Sequence, residues 1–174
     1  FSSEDWVSAG FAYARHLEDP AQRARLWPGP AKFCRRITGG GLVRHGKDLM
    51  FTLIAGKKDD ESFSSVRSSY RKIHEAVARS FRDRGLQPIF LSSAPGRPAG
   101  PRCFEFPVET DLAVAGRKAA GGGQKRSSGV LMHQESIQKT GGFEADEWMA
   151  PLYNAFQAIF NVQIRAVPAD PRLL

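Results

Sequence analysis

Two runs of three consecutive glycines, Gly39–Gly41 and Gly121–Gly123, constrain this chain more than any other feature. The first sits in Arg35-Arg36-Ile37-Thr38-Gly39-Gly40-Gly41-Leu42-Val43-Arg44-His45-Gly46, the second in Gly116-Arg117-Lys118-Ala119-Ala120-Gly121-Gly122-Gly123-Gln124. Both read as loops whose bare backbone can approach a ligand closely, beside cations that neutralise a carboxylate or phosphate. Together they predict a groove for a small acidic or acylated ligand. The plain alternatives are a flexible hairpin turn for the first and a solvated basic turn for the second. No Gly-Lys-Ser/Thr follows either run and no G-x-G-x-x-G opens a helix, so neither is a Walker loop or a dinucleotide fingerprint.

A chain of 174 residues with 41% hydrophobic content predicts one domain over residues 1–174. Its formal charge of +7 favours acidic partners. Nucleic acid is not expected among them, because aromatic residues are not interleaved with the basic ones at Arg97, Arg102, Arg117, Lys125 and Arg126. Cys34 and Cys103 are too few for a disulfide scaffold and form no metal spacing with the four histidines. A reduced, cytoplasmic setting without a metal is therefore expected. No apolar run is long enough to span a membrane and no leader is visible, so no membrane association is expected. The chain starts at Phe1 rather than Met, which predicts a missing N-terminal piece.

Trp6 to Phe11 reads as a strand, residues 14 to 31 as one short helix and a loop, and Lys32 to Ile37 as a strand entering the first glycine run. Asp48 to Ile54 is an apolar run expected to be a largely buried strand. Val66, Tyr70, Ile73, Val77 and Phe81 recur at helical spacing and predict a helix over Ser62 to Arg84, stopped by Gly85. Strands are predicted at Leu86 to Ser92, Asp111 to Ala115 and Val130 to Ile137, a loop at Ser93 to Pro101, a helix at Trp148 to Phe160, and a closing strand at Val162 to Val167. Strands and two good helices without regular βαβ alternation indicate an α+β fold with a mixed sheet flanked by helices.

Three residue types carry candidate chemistry. Cys103 follows a Pro/Gly loop, where a nearby cation would favour its thiolate; it is otherwise a small buried hydrophobe. Lys118, fifteen residues later, is that cation if the intervening segment folds back as a hairpin. His45 could donate to a ligand carbonyl or act as acid or base, or be ordinary polar surface. His16, His74 and His133 show no partner spacing, and His74 is expected on the solvated face of its helix.

Arg35-Arg36-x-Thr38-Gly39-Gly40-Gly41-x-Val43-x-His45 resembles the R-R-x-[TS]-G-G-G-x-V-x-H motif of the biotin/lipoate A/B protein ligase family. Asp111-Leu112-x-x-x-Gly116-Arg117-Lys118-x-x-Gly121-x-x-Gln124 is similar to that family's second motif, and Ser69-Tyr70-Arg71-x-Ile73-His74 fits the helix between them. The resemblance covers nearly the whole chain from residue 6. It implies a catalytic domain of the class II aminoacyl-tRNA synthetase and biotin-protein ligase type, with the family's N-terminal helix and strand not visible here.

The resemblance also assigns a site. Lys118 would contact the acyl carbonyl, and Arg36, Thr38, Gly39, Gly40, Gly41, His45, Gly121, Gly122, Gly123 and Gln124 would line the substrate pocket. Cys103-Phe104-Glu105-Phe106-Pro107 resembles the C-F-x-x-P loop of the cysteine-containing octanoyltransferase branch, which implies Cys103 as nucleophile, Lys118 as its partner, and backbone N–H groups of Gly121–Gly123 as oxyanion donors. The implied reaction moves an octanoyl or lipoyl group from a donor such as acyl carrier protein to the lysine of an acidic lipoyl domain, in the glycine cleavage H protein or an E2 subunit, with no cofactor. The alternatives are an ATP- and Mg-dependent lipoate-protein ligase or amidotransferase, and a noncatalytic acyl- or protein-binding relative. Glu135 departs from the glycine usual after His133-Gln134 and is expected to narrow or acidify the acyl site.

Overall fold

The computed structural model of the protein describes residues 6–29, 31–92, 102, 104–105, 108–138, 140 and 146–168. The Ser93 to Pro101 loop and Cys103 lie outside these residues. Two sheets form the fold. In the smaller, β1 (Trp6–Ala9) is central, parallel to β2 (Lys32–Arg35) and antiparallel to β3 (Leu42–His45). The larger is antiparallel, in the order β4 (Asp48–Gly56), β8 (Val130–Gln138), β7 (Arg117–Ser127), β6 (Leu112–Val114), β5 (Ile89–Phe90). Parallel and antiparallel pairing in the small sheet, antiparallel pairing in the large one and the flanking helices make the α+β architecture the patterning implied.

The parallel β1–β2 pair requires a crossover, which is supplied by α1 (Phe11–Ala14), a 3-10 turn and α2 (Pro20–Leu26). Asp19 caps α2 by accepting from the Ala21 N–H, and Pro20 occupies the first turn, where its missing N–H costs nothing. Val7, Ala9, Ala14, Leu17 and Leu42 close a small core beneath this sheet.

One face of the large sheet carries α3 (Val66–Arg82) and α4 (Met149–Phe160). Val77, Ala78 and Phe81 of α3 meet Leu112, Ala119, Ala120 and Ile137 of the sheet, with Trp148 and Leu152 closing the cluster. Ser65 caps α3 through the Ser68 N–H, and Gly85 ends it at φ 75°, where a side chain would be strained. Val66, expected on the inward stripe, is exposed instead, because it starts the helix before the stripe reaches the sheet.

Three further expectations need correction. Asp48 to Ile54 is not largely buried. As the edge strand β4 it pairs only with β8, so Phe51 and Leu53 face the helices while Met50, Thr52 and Ile54 are exposed on the other side. The strand expected over Leu86 to Ser92 shrinks to Ile89–Phe90. Val162 to Val167 forms no strand; its apolar residues are exposed and the Ile164 N–H is taken by the Gln157 side chain.

Candidate functional site

A cavity of about 830 Å³ opens between the two sheets. Trp6, Ser8, Val43 and His45 line it from the small sheet, and Met50, Thr52, Gly121, Gly123, Met132, Gln134 and Ser136 from the large one. Ile37, Met50 and Val108 are large apolar side chains with more than 40% exposure, and all three face this cavity. Their exposure supplies an apolar lining of the kind that holds a hydrocarbon ligand.

The first glycine run is not a hairpin turn. β2 and β3 do not pair with each other, so residues 36 to 41 cross over the end of β1. Gly10 donates to the Gly41 carbonyl (3.1 Å), Phe11 to that of Thr38 (3.1 Å), and Arg36 N–H to that of Ala9 (2.9 Å). A Cβ at Gly10 would lie 1.9 Å from the Gly40 carbonyl oxygen, so only glycine fits there. The Arg36 guanidinium locks the crossing by donating to the carbonyls of Gly39 (3.0 Å) and Gly41 (2.9 Å) and to Ser8 Oγ (2.8 Å). Thr38, fully buried, donates to Gln134 Oε1 (2.8 Å) and ties the crossing to β8.

The second glycine run is not a loop. Gly121–Gly123 lies inside β7 and is paired with β8 throughout, Gly121 with Ser136, Gly122 with Glu135 and Gly123 with Gln134. Only alternate N–H groups of a paired strand point away from its neighbour, so the three cannot act together as oxyanion donors. What the glycines provide is space. A Cβ on Gly121 would lie 2.5 Å from Lys118 Cε, one on Gly122 2.5 Å from His133 Nε2, and one on Gly123 2.8 Å from the Gly39 carbonyl oxygen. The two glycine runs thus touch, and the strand accepts neighbours on both faces.

Lys118 reaches the cavity through a register shift. Leu112 pairs with Ala120 but Ala113 pairs with Lys118, leaving Ala119 as an extra residue in β7. This bulge turns Lys118 to the cavity face, where Gly121 also points, instead of the helix face that strict alternation would give it. Lys118 Nζ lies 2.6 Å from Asp111 Oδ2, both side chains nearly buried, and 5.0 Å from the centre of the Phe104 ring. Burial pushes the Asp111 carboxyl up, and the Lys118 charge and hydrogen bond only partly offset it. Cys103 lies outside the described residues, but Arg102 and Phe104 on either side of it both line the cavity.

His45 is held on both ring nitrogens, Nε2 by Ser8 Oγ (2.7 Å) and Nδ1 by Asp48 Oδ2 (2.7 Å), and stacks on Trp6 at 4.1 Å. Burial would raise the Asp48 carboxyl, but hydrogen bonds from His45 and Ser136 outweigh it and hold the group below its ordinary value. Of the residues expected to bind substrate, Arg36, Gly40, Gly41, His45 and Gly121–Gly123 line the cavity, as does Lys118. Thr38, Gly39 and Gln124 do not. Gln124 faces the helices, where it meets Ser69 Oγ (3.1 Å) and His133 Nδ1 (3.2 Å), because it lies one residue beyond the cavity-facing Gly123.

Beneath the glycine strand, on the helix side, three residues converge that sequence spacing did not connect. Glu135 Oε2 lies 3.0 Å from His74 Nε2 and 2.6 Å from His133 Nε2, and all three side chains are fully buried. His74 is therefore not on a solvated face. It follows Tyr70 by four residues and Ile73 by one, within an inward stripe wider than five positions. Glu135 is among the residues lining the cavity, but its carboxylate is engaged by His74 and His133 on the helix side of the sheet. Burial alone would raise its carboxyl, but the His74 charge and the hydrogen bonds of His133 and His74 hold it at about 2. Burial alone would lower His74, and Glu135 reverses that and raises it. The three ligand-type atoms lie within 4.8 Å of one another, as a metal site would have them. The 2.6 Å contact is nevertheless a hydrogen bond's length, shorter than two ligands on one ion normally allow.

Among the described residues no helix is long and apolar enough to cross a membrane. Residues 15–145 match the model of the lipoyl protein ligase A/B catalytic domain. The octanoyltransferase LipM of Halalkalibacterium halodurans is 36% identical over 112 residues, 60% of this chain and 41% of that protein. The LipM of Bacillus subtilis is 34% identical over 112 residues, 60% of this chain and 40% of that protein. The matching segment is thus about two fifths of these relatives' length. A solved lipoate-protein ligase A bound with ATP superposes at a TM-score of 0.69 with 18% identity, over 97% of this chain and 74% of that one. A bipartite lipoate protein ligase from Thermoplasma acidophilum, solved in a study of that ligase and its E2 lipoyl domain, superposes at 0.66 with 16% identity, over 97% and 72%. These similarities share the fold, and the family match covers the glycine crossing, the bulged lysine strand and the helix beneath them: the chain belongs to the lipoyl protein ligase A/B catalytic-domain family.

Proposed function

We propose that this protein transfers an octanoyl or lipoyl group to the lysine of a lipoyl domain through a thioester on Cys103. The observation that carries this reading is the placement of Lys118, ion-paired with Asp111 at the wall of an apolar cavity and packed over Phe104, the residue next to Cys103. An ammonium there favours the thiolate of the adjacent segment. The kinship with octanoyltransferases named LipM supports the same choice.

In the first step Cys103 Sγ attacks the donor's thioester carbonyl, the bond to the carrier sulfur breaks, and the carrier thiol leaves with the proton Cys103 gave up. In the second the neutral ε-amine of the acceptor lysine attacks the enzyme thioester. The amide forms, the amine's proton is released, and Cys103 leaves as thiolate. The acyl chain lies among Trp6, Val43, Met50 and Met132, and the acceptor is an acidic domain drawn by the net charge of +7. No cofactor enters either step.

Incubation with octanoyl-acyl carrier protein should add one octanoyl mass to the intact protein, and Cys103→Ser should abolish the adduct. Persistence of the adduct in that variant would sink the nucleophile assignment. ATP-dependent consumption of free octanoate or lipoate with AMP release would identify a ligase instead.

A further inference from the structure

The buried cluster beneath the glycine strand has a hydrogen-bond pattern that assigns its protons. Arg126 donates to Gln124 Oε1 (3.2 Å), so the amide nitrogen of Gln124 faces His133 Nδ1 (3.2 Å) and that ring nitrogen accepts. His133 Nε2 therefore carries the proton and donates it to Glu135 Oε2. His74 Nδ1 lies 2.5 Å from the Thr110 carbonyl, which can only accept, so Nδ1 is an N–H. His74 Nε2 faces the same Glu135 oxygen, and a carboxylate only accepts, so Nε2 is an N–H too. His74 is an imidazolium whose charge matches the carboxylate of Glu135.

The Nδ1–H of that imidazolium ends on an unusual piece of backbone. Thr110 has φ 76°, a left-handed conformation that a β-branched residue adopts only where its surroundings impose it. Its N–H donates to the Leu91 carbonyl (3.1 Å), and the N–H of the next residue, Asp111, donates to that of Val108 (3.2 Å). Asp111 in turn accepts from Val108 N–H (2.8 Å) and holds Lys118. The groups facing His74 are Glu135 and His133 of β8, Tyr70 of its own helix and Asp111 before β6.

We infer that His74 is a positioning residue for the site: held as an imidazolium by Glu135, it fastens Thr110 in its strained conformation and thereby sets the Asp111 carboxylate that aims Lys118 into the cavity. The relevance to acyl transfer rests on the function proposed above; the geometry it predicts does not. A neutral cluster, with the shared proton on Glu135, would leave His74 without the charge that the inference requires.

Two measurements on the full chain test it. In the wild-type protein, ring nitrogen NMR of His74 should show both nitrogens still protonated just above pH 6.5, where an ordinary histidine is mostly neutral. A neutral ring at that pH overturns the proposal. The variant His74→Phe with Glu135→Gln removes the N–H donor without leaving a buried charge unpaired, which guards the fold. Its crystal structure should show Thr110 out of the left-handed region and Lys118 Nζ beyond hydrogen-bond distance of Asp111. Unchanged geometry overturns the proposal whether or not the protein transfers acyl groups. In the acylation assay the same variant should lose kcat on the order of 10- to 100-fold with KM for the donor nearly unchanged, as misplacement of a reacting group does. A wild-type kcat would overturn it as well.

Discussion

At the residue scale the glycines of β7 separate two kinds of constraint. Gly122→Ala would drive a Cβ to 2.5 Å from His133 and 2.6 Å from Glu135, both fixed in a buried network. The variant should lose about 1–3 kcal/mol in urea unfolding, in the range of overpacked cores. Gly121→Ala meets Lys118 Cε at 2.5 Å and Asp111 Oδ1 at 2.9 Å, an ion pair beside an open cavity into which it can shift, so it should lose less stability than Gly122→Ala yet acylate Cys103 more slowly. Equal stability losses for the two variants would remove the distinction. The ion pair beneath Gly122 also sets a pH dependence. Glu135 is held at about 2 against an ordinary 4.5, so its stabilisation is complete above 4.5 and lost as pH falls toward 2. His74 is raised above 6.5, so its stabilisation is complete below 6.5 and lost as pH rises through the raised value. The pair therefore contributes most between pH 4.5 and 6.5. Glu135→Gln should flatten the acid limb of a stability-against-pH curve from urea titrations, and an unchanged limb would show that Glu135 does not titrate with unfolding.

At the scale of elements, the helices and most strands were legible because each hydrophobic pattern matches one period: 3.6 over Val66–Arg82 and near 2 over Val130–Gln138. What periodicity could not show is where it breaks. The bulge at Ala119 leaves no mark in composition, yet it decides which face Lys118 takes. Deleting Ala119 removes the bulge and its extra residue together, so Lys118 then directly precedes Ala120 and keeps the cavity face by strict alternation; the octanoyl adduct should still form. Loss of the adduct in a folded variant would mean that the bulge itself, and not only the face it gives Lys118, places the ammonium. Helix α3 is a control: Ser65→Ala removes its cap and should cost about 1 kcal/mol while leaving the acylation rate intact.

At the scale of the whole molecule, the cavity exists only because two separate sheets face each other across it. Met50 shows the consequence: in the edge strand it is an exposed apolar residue, and in the assembled fold it is part of the cavity wall. Met50→Glu should raise KM for an octanoyl donor about tenfold or more, since a charge then faces the chain, with stability within about 0.5 kcal/mol of wild type. Transfer to an acidic lipoyl domain should also slow as salt rises, in keeping with a charge of +7 and screening over about 10 Å at 0.1 M.

The sequence by itself determined the family, the α+β class, the helices, and the cations and glycines of the site, because motifs and periods are local and survive in one dimension. The fold alone decided what those residues do. Gly121–Gly123 became a strand whose missing side chains make room for Lys118, His133 and the other glycine run, although the residues it accommodates are up to eighty-four positions away at Gly39. His74, Glu135 and Asp111 joined the site for the same reason. Burial and pairing arise from contacts between distant segments, and the spacing of a chain does not record which of its faces will be turned inward.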